Sequence, residues 1–308
     1  MSKPFRGVFT IPPTPFAEDG SVDVASLRRC VEFSVETGAH GIVAPVNASE
    51  FYSLADDERR LVAETVIQAA DHRLPVVIGV TGLSPQHAVA LAVHAEKNGA
   101  DAVIAMPPFG RQASMPEIEA YYQALGAAVR IPIFIQDYGP PGTPMSPEFM
   151  ARLAREIEHV DYIKEETIPP GHAVTAVLKA AGDACKGVMG GMGGRYLIDE
   201  HRRGACGAMP ACHTNDILVR LWDLLEARRE RQARDLFNRL LPLLNLEFIF
   251  GVAMYKEVLF RRGIIASTTM RIPARRTLDE YDHQELDAVL ADMADLFTVH
   301  PPKARRKR

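Results

Sequence analysis

The chain has 308 residues, 47% of them hydrophobic and 24% charged, and a formal net charge of -4. That length suits one α/β barrel or two smaller domains, and the charge balance gives no electrostatic case for nucleic acid or a membrane surface. Its four cysteines, Cys30, Cys185, Cys206 and Cys212, make no CxxC pair and no zinc spacing with histidine, so no metal centre is expected.

Residues 1–6 lack the apolar core of a signal peptide, and no uncharged apolar stretch is long enough to span a bilayer. A cytoplasmic protein with reduced thiols is expected, with Cys206 a small core residue. Short apolar runs then occupy residues 7–11, 41–46, 75–80, 102–106, 131–136, 162–164, 185–189 and 205–209. Each is bounded mostly by Gly, Pro or a polar turn, as befits a strand buried on both faces. Helical patterns separate them. Residues 23–37 carry Leu27, Val31 and Val35 at four-residue spacing, and residues 84–98 open on Ser84-Pro85, an N-cap followed by proline. Ser146-Pro147 opens a later helix in the same way, and Thr37-Gly38 and Asn98-Gly99 supply closing glycines.

Strand and helix alternate eight times, which predicts an α/β fold, a (β/α)8 TIM barrel over residues 1–225. No G-x-G-x-x-G follows the first strand, which argues against a dinucleotide site. After the seventh strand, Gly190-Gly191 and Gly193-Gly194 form a glycine-rich turn. It reads either as a phosphate cradle or as a tight turn that leaves room for substrate; without a Lys and Ser/Thr partner the second is favoured. Helical patterns at 218–231, 233–241, 247–262 and 278–297 make residues 226–300 a C-terminal helical extension of the same domain. Residues 301–308 read as a disordered basic tail.

Reactive side chains of a barrel gather at the C-terminal ends of its strands. Lys164 stands there, closing the apolar run Tyr162-Ile163. Burial favours the free amine, which attacks carbonyls; the plainer alternative is an exposed lysine paired with Glu165 or Glu166. Neighbouring Glu165 and Glu166 face opposite ways along a strand, so at most one sees the site. His213, after the eighth strand, either touches distal substrate hydroxyls or is a loop histidine bonded to backbone. Asp137 orders the loop after strand five, and Asn245 and Glu247, out on the extension, read as structural.

Two stretches carry a resemblance. Gly7-Val8-Phe9-Thr10-Ile11-Pro12-Pro13-Thr14-Pro15-Phe16 resembles the G-x-x-x-x-x-x-T-P-F opening of the N-acetylneuraminate lyase and dihydrodipicolinate synthase family of Schiff-base barrels. Ile163-Lys164-Glu165 is similar to that family's lysine-bearing strand. The resemblance implies an imine between Lys164 and C2 of a 2-oxo acid, a homotetramer, and no cofactor. It also implies that Val46-Asn47-Ala48-Ser49-Glu50 matches the family's G-[ST]-T-G-E loop, which binds the keto-acid carboxylate; Asn47 and Ser49 keep polar atoms, while Ala48 has lost a hydroxyl. The family's relay tyrosines fall on Gln136 and Phe109, with Tyr138 a shifted substitute for the first. Residues 139–143 lack the synthase's arginine for a second carboxylate.

These departures resemble the branch that dehydrates 2-keto-3-deoxy sugar acids such as 2-keto-3-deoxyarabonate. The carrying features are Ser49-Glu50 with Leu54-Ala55-Asp56-Asp57-Glu58-Arg59, then Ala105-Met106-Pro107-Pro108, Gln136-Asp137, Lys164 with Glu166-Thr167, and Leu241-Pro242-Leu243-Leu244-Asn245 with Glu247. The expected site is therefore Lys164 and Gln136 as catalytic residues, with Asn47, Ala48, Ser49, Phe109, Glu166, Met209 and His213 around the substrate. The C3 base is open between a water held by Gln136 or Ser49 and an inward Glu166. An aldolase or a synthase-like condensation using pyruvate shares the steps up to the enamine. A non-catalytic barrel that binds 2-oxo acids is the alternative of another class.

Overall fold

The computed structural model describes residues 5–138, 144–273 and 276–299. The expected basic tail at 301–308 lies outside them. Eight parallel strands close into a barrel in chain order: β1 (Gly7–Thr10), β2 (Gly41–Ala44), β3 (Val76–Gly79), β4 (Ala102–Ala105), β5 (Ile133–Asp137), β6 (Val160–Glu165), β7 (Gly187–Gly190) and β8 (Gly207–Ala208). Closure is tight where β8 meets β1: a Cβ on Gly207 would fall 2.1 Å from the Gly7 carbonyl oxygen, so the position requires glycine.

Helices α1 (Val24–Glu36), α2 (Asp56–Ala70), α3 (Pro85–Lys97), α4 (Met115–Ala128), α5 (Pro147–Glu156), α6 (Pro170–Ala181), α7 (Leu197–Arg202) and α8 (Asn215–Glu226) follow the eight strands in turn. Asp23, Ser84 and Ser146 cap α1, α3 and α5, each side chain accepting a backbone N–H of the first turn. Alternate strand residues divide the core. Ile42, Ile78, Val103, Ile135, Ile163 and Val188 pack outward against helices. Phe9, Val43, Val77, Ile104, Phe134, Tyr162 and Met189 point inward, with Phe5 among them. Phe134 stacks on Tyr162 at 4.6 Å, and Phe5 meets both edge-on at 5.5 and 5.3 Å. The lower barrel is thus filled with side chains, and β6 carries its inward row upward from Tyr162 to Lys164 to Glu166.

The extension departs from its expected division. Instead of a break between 241 and 247, α9 (Glu230–Phe250) runs unbroken through Pro242 and ends at Gly251, whose φ of 57° suits glycine. The pattern at 233–241 and the start of that at 247–262 are therefore one helix, and Glu247 lies in its last turn. Next come α10 (Val252–Arg261) and α11 (Glu280–Asp292). Leu240, Leu243 and Leu244 of α9 share one core with Leu221 and Trp222 of α8 and with Val8 and Ala208 of the barrel. No helix among the described residues is long and apolar enough to cross a membrane.

Candidate active site

The β6 row ends on a buried ion pair. Lys164, 3% exposed, holds its Nζ 3.0 Å from Oε2 of Glu166, itself 9% exposed. Gln136 stands opposite Lys164 in the β5–β6 register and donates from Nε2 to the same oxygen at 2.7 Å. The Met192 N–H donates to Glu166 Oε1 at 3.4 Å. Of the two neighbouring glutamates, Glu166 is the one that sees the site. Above it opens a cavity of about 750 Å³, lined among others by Asn47, Ala48, Met106, Phe109, Tyr138, Lys164, Glu166, Met209, Arg195, Glu247 and Tyr255.

The loop after β2 is a 3-10 turn, Asn47–Ser49. Asn47 and Ala48 line the cavity, and Asn47 Nδ2 contacts Met106 Sδ at 3.3 Å. Ser49 does not line it. Its hydroxyl donates to the Pro12 carbonyl at 2.8 Å, and its own carbonyl accepts from the Thr14 hydroxyl at 2.6 Å. The threonine of the T-P-F opening thus holds this loop. Glu50, with a left-handed φ of 56°, pairs with Lys256 of α10 at 2.5 Å, both fully buried. The Lys256 ammonium also donates to the Thr269 carbonyl at 2.8 Å and lies 4.4 Å over the Phe16 ring.

The glycine-rich turn after β7 has a specific reason for its composition. A Cβ on Gly190 would fall 2.1 Å from Glu200 Oε2, one on Gly191 2.2 Å from Glu166 Oε1, and one on Gly193 2.2 Å from Glu247 Oε1. Three carboxylates from three elements pack on this turn. That filling leaves no room for a phosphate, because carboxyl side chains already occupy the space against the turn.

Behind the strands, on the barrel's outer face, Asp137 and Glu165 are buried as Glu200 is. Burial, then the Glu165 charge, pushes Asp137 up to about 7, and burial, then the Glu166 charge, pushes Glu200 up to about 8. Burial raises Glu165 as well, although the Thr167 N–H at 2.7 Å and the Thr167 hydroxyl both donate to it. Asp137 accepts the Met145 N–H at 3.4 Å, which ties down the chain beyond the β5 loop. Residues 139–143, where no arginine was expected, lie outside the described residues.

Phe109 lines the cavity, its ring edge-on to Phe51 at 5.3 Å. Met209 also lines it, while Gln136 reaches it through Glu166. His213 is 1% exposed and does not line the cavity; it stacks on Tyr255 at 5.0 Å with Nε2 3.5 Å from Glu247 Oε2. Sequence reasoning read Glu247 as structural, whereas it lines the cavity, and missed Tyr255 and Arg195. Their helical periodicity or loop position says only that they are near a core, and nothing local says that α9 and α10 pass over the barrel mouth. Tyr138, expected as a shifted substitute, does line the cavity, and burial, then the Glu166 charge, raises its phenol.

The chain matches the model of the Dihydrodipicolinate synthetase family over residues 4–293. It belongs to that family. It is 35% identical over 275 residues to the L-2-keto-3-deoxyarabonate dehydratase of Azospirillum brasilense, a match covering 87% of this chain and 88% of the relative. It is 30% identical over 290 residues to the 4-hydroxy-tetrahydrodipicolinate synthase of Rhizobium meliloti, covering 93% and 97%. Among solved structures, the dihydrodipicolinate synthase of Rhodopseudomonas palustris superposes with a TM-score of 0.85 at 28% identity, over 93% of this chain and 97% of that one. The chain is therefore a lyase of this family, built to bind a small molecule.

Proposed function

We propose that this family member dehydrates a 2-keto-3-deoxy sugar acid, such as 2-keto-3-deoxyarabonate, through an imine on Lys164. One observation carries the reading: a lysine amine at 3% exposure on the cavity floor, with a carboxylate at 3.0 Å and an amide, Gln136, where the family's relay tyrosine would stand. Glu166 takes a proton from the Lys164 ammonium, the free amine adds to C2 of the keto acid, and Glu166 returns the proton to the C2 oxygen, which leaves as water to give a protonated imine. The substrate carboxylate lies on Asn47 and Ala48. Glu166 then removes a C3 proton, and the imine nitrogen accepts the electron pair. The enamine expels the C4 hydroxyl, which leaves as water with the proton that Glu166 holds. That leaves a C3=C4 double bond conjugated with the imine. Loss of a C5 proton and return of a proton to C3 give a C4=C5 enol, which becomes the C5 aldehyde as C4 takes a proton and the hydroxyl releases one. A water molecule hydrolyses the imine, freeing Lys164 and the semialdehyde of 2-oxoglutarate. No cofactor enters this reaction. The reading includes a homotetramer in the cytoplasm, as the sequence resemblance implies.

One observation favours a second reading. Tyr138 lines the cavity close enough to Glu166 for that charge to raise its phenol. A hydroxyl there can carry a proton to and from C4 oxygen, as retro-aldol cleavage to pyruvate requires.

Borohydride reduction with 2-keto-3-deoxyarabonate, and separately with pyruvate, tests the imine. An adduct mapped to Lys164 by mass spectrometry is expected in both, and none in Lys164→Ala. Formation of the semialdehyde without pyruvate supports dehydration; pyruvate among the products moves the assignment to the aldolase. If neither acid leaves an adduct, the Schiff-base reading fails.

A further inference from the structure

The barrel mouth holds one carboxylate that these steps do not use. Glu247, in the last turn of α9, is 4% exposed and lines the cavity. Its Oε2 has no hydrogen-bond partner among the described residues. A buried carboxylate oxygen without a donor is costly, and packing is what keeps it there. Gly193, at φ 68°, leaves the space that Oε1 fills. Tyr255 lies beside the carboxylate; burial, then the Glu247 charge, keeps that phenol protonated well above its ordinary range. His213 Nε2 stands 3.5 Å from Oε2 without a hydrogen bond.

Chain geometry ties Glu247 to the chemistry. Gly191 packs on Glu166 as Gly193 packs on Glu247. Two residues of chain span at most about 7 Å, so both carboxylates rest on one short turn and line the same cavity.

We infer that Glu247 is a specificity residue: its free oxygen accepts a hydrogen bond from the distal hydroxyl of the sugar acid and its charge turns away keto acids that end in a second carboxylate. The inference rests on the dehydratase reading for its substrate and on this geometry for its residue. A hydroxyl donates and an ionised carboxylate cannot, so the two kinds of ligand are separated by an attraction and a repulsion acting at one atom. The cation on the same wall, Arg195, is committed elsewhere: its guanidinium donates to the Leu244 carbonyl and lies 4.7 Å over the Phe248 ring.

The test compares 2-keto-3-deoxyarabonate with 4-hydroxy-2-oxopentanoate, which lacks the C5 hydroxyl, in the wild type, Glu247→Gln and Glu247→Ala, with borohydride trapping of pyruvate run alongside. The wild type is expected to prefer the hydroxylated acid about ten- to a hundredfold in kcat/KM. Glu247→Ala should bring that ratio close to one, mainly through KM. Glu247→Gln, of equal volume, should keep part of the preference but bind 4-hydroxy-2-oxoglutarate more tightly than the wild type does. Pyruvate trapping should be the same in all three proteins. An unchanged substrate ratio in Glu247→Ala with normal pyruvate trapping overturns the inference and leaves the imine reading standing. Pyruvate trapping that falls in both variants makes Glu247 structural and also overturns it. No adduct in the wild type overturns the imine reading itself, and the inference with it.

Discussion

At the scale of single residues, the site turns on how many donors one carboxylate receives. Glu166 accepts from the Lys164 ammonium, the Gln136 amide and the Met192 N–H. In the proposed reaction the protonated imine keeps one N–H where the ammonium had three, and Glu166, still held by its two neutral donors, would serve as base at the carbon next to the imine. A base so placed is worth about 10²- to 10⁴-fold in rate. Glu166→Gln is therefore expected to lower kcat by a factor in that range while borohydride still traps substrate on Lys164. Steady-state turnover and trapping, measured on one preparation, check it, and unchanged turnover would return the role of base to a bound water. Lys164 and Glu166 were legible in the sequence because a strand has a period of two: once Lys164 faces inward, Glu166 does too and Glu165 does not. Ser49 was not legible in this way, because its neighbours in the chain do not show that Pro12 takes its hydroxyl.

At the scale of elements, two segments from distant parts of the chain hold the loop after β2. Thr14 and Phe16 come from the opening segment, Lys256 from α10, and Glu50 joins them through a fully buried ion pair at 2.5 Å. Burial alone raises Glu50 and lowers Lys256, and each partner's charge opposes the other's shift. Removing one partner leaves the other buried without compensation, which costs about 3–5 kcal/mol, whereas replacing both removes the stranded charge. Lys256→Met should lower stability by that amount, and Glu50→Gln/Lys256→Met by less than the sum of the single losses. Denaturant melts of the four proteins measure the coupling; strictly additive losses would mean that the pair is not what fixes the loop. The T-P-F opening was visible in the sequence, but not that its Phe16 packs under Lys256, which sits some 240 residues away in a helix whose pattern shows only amphipathicity. The same limit hid Glu247. The helical pattern at 233–241 stops before Pro242, yet α9 passes through that proline and carries Glu247 to the barrel mouth.

At the scale of the whole molecule, the barrel was legible because each strand is buried on both faces and so reads as an unbroken apolar run. The acids behind β5, β6 and β7 break that rule, and their effect falls on global stability. In the folded protein Asp137 is pushed up to about 7 and Glu200 up to about 8, while an unfolded chain releases these protons near pH 4. Between those values the native state binds protons that the unfolded state has lost, so stability falls as pH rises. The cost begins near pH 4 and is complete once pH exceeds about 8. His40 works the other way, because burial lowers it and native stability gains as pH rises through the ordinary imidazole range. The acids are therefore isolated by substitution. Glu200→Gln keeps the volume beside Gly190 and removes the charge, so its Tm should exceed that of the wild type by clearly more at pH 8.5 than at pH 5. Asp137→Asn should behave alike, since its amide oxygen can still accept the Met145 N–H. Thermal melts of the three proteins at both pH values decide it: an equal offset at the two pH values would trace the change to packing, whereas an offset that grows with pH places the proton on these buried carboxyls.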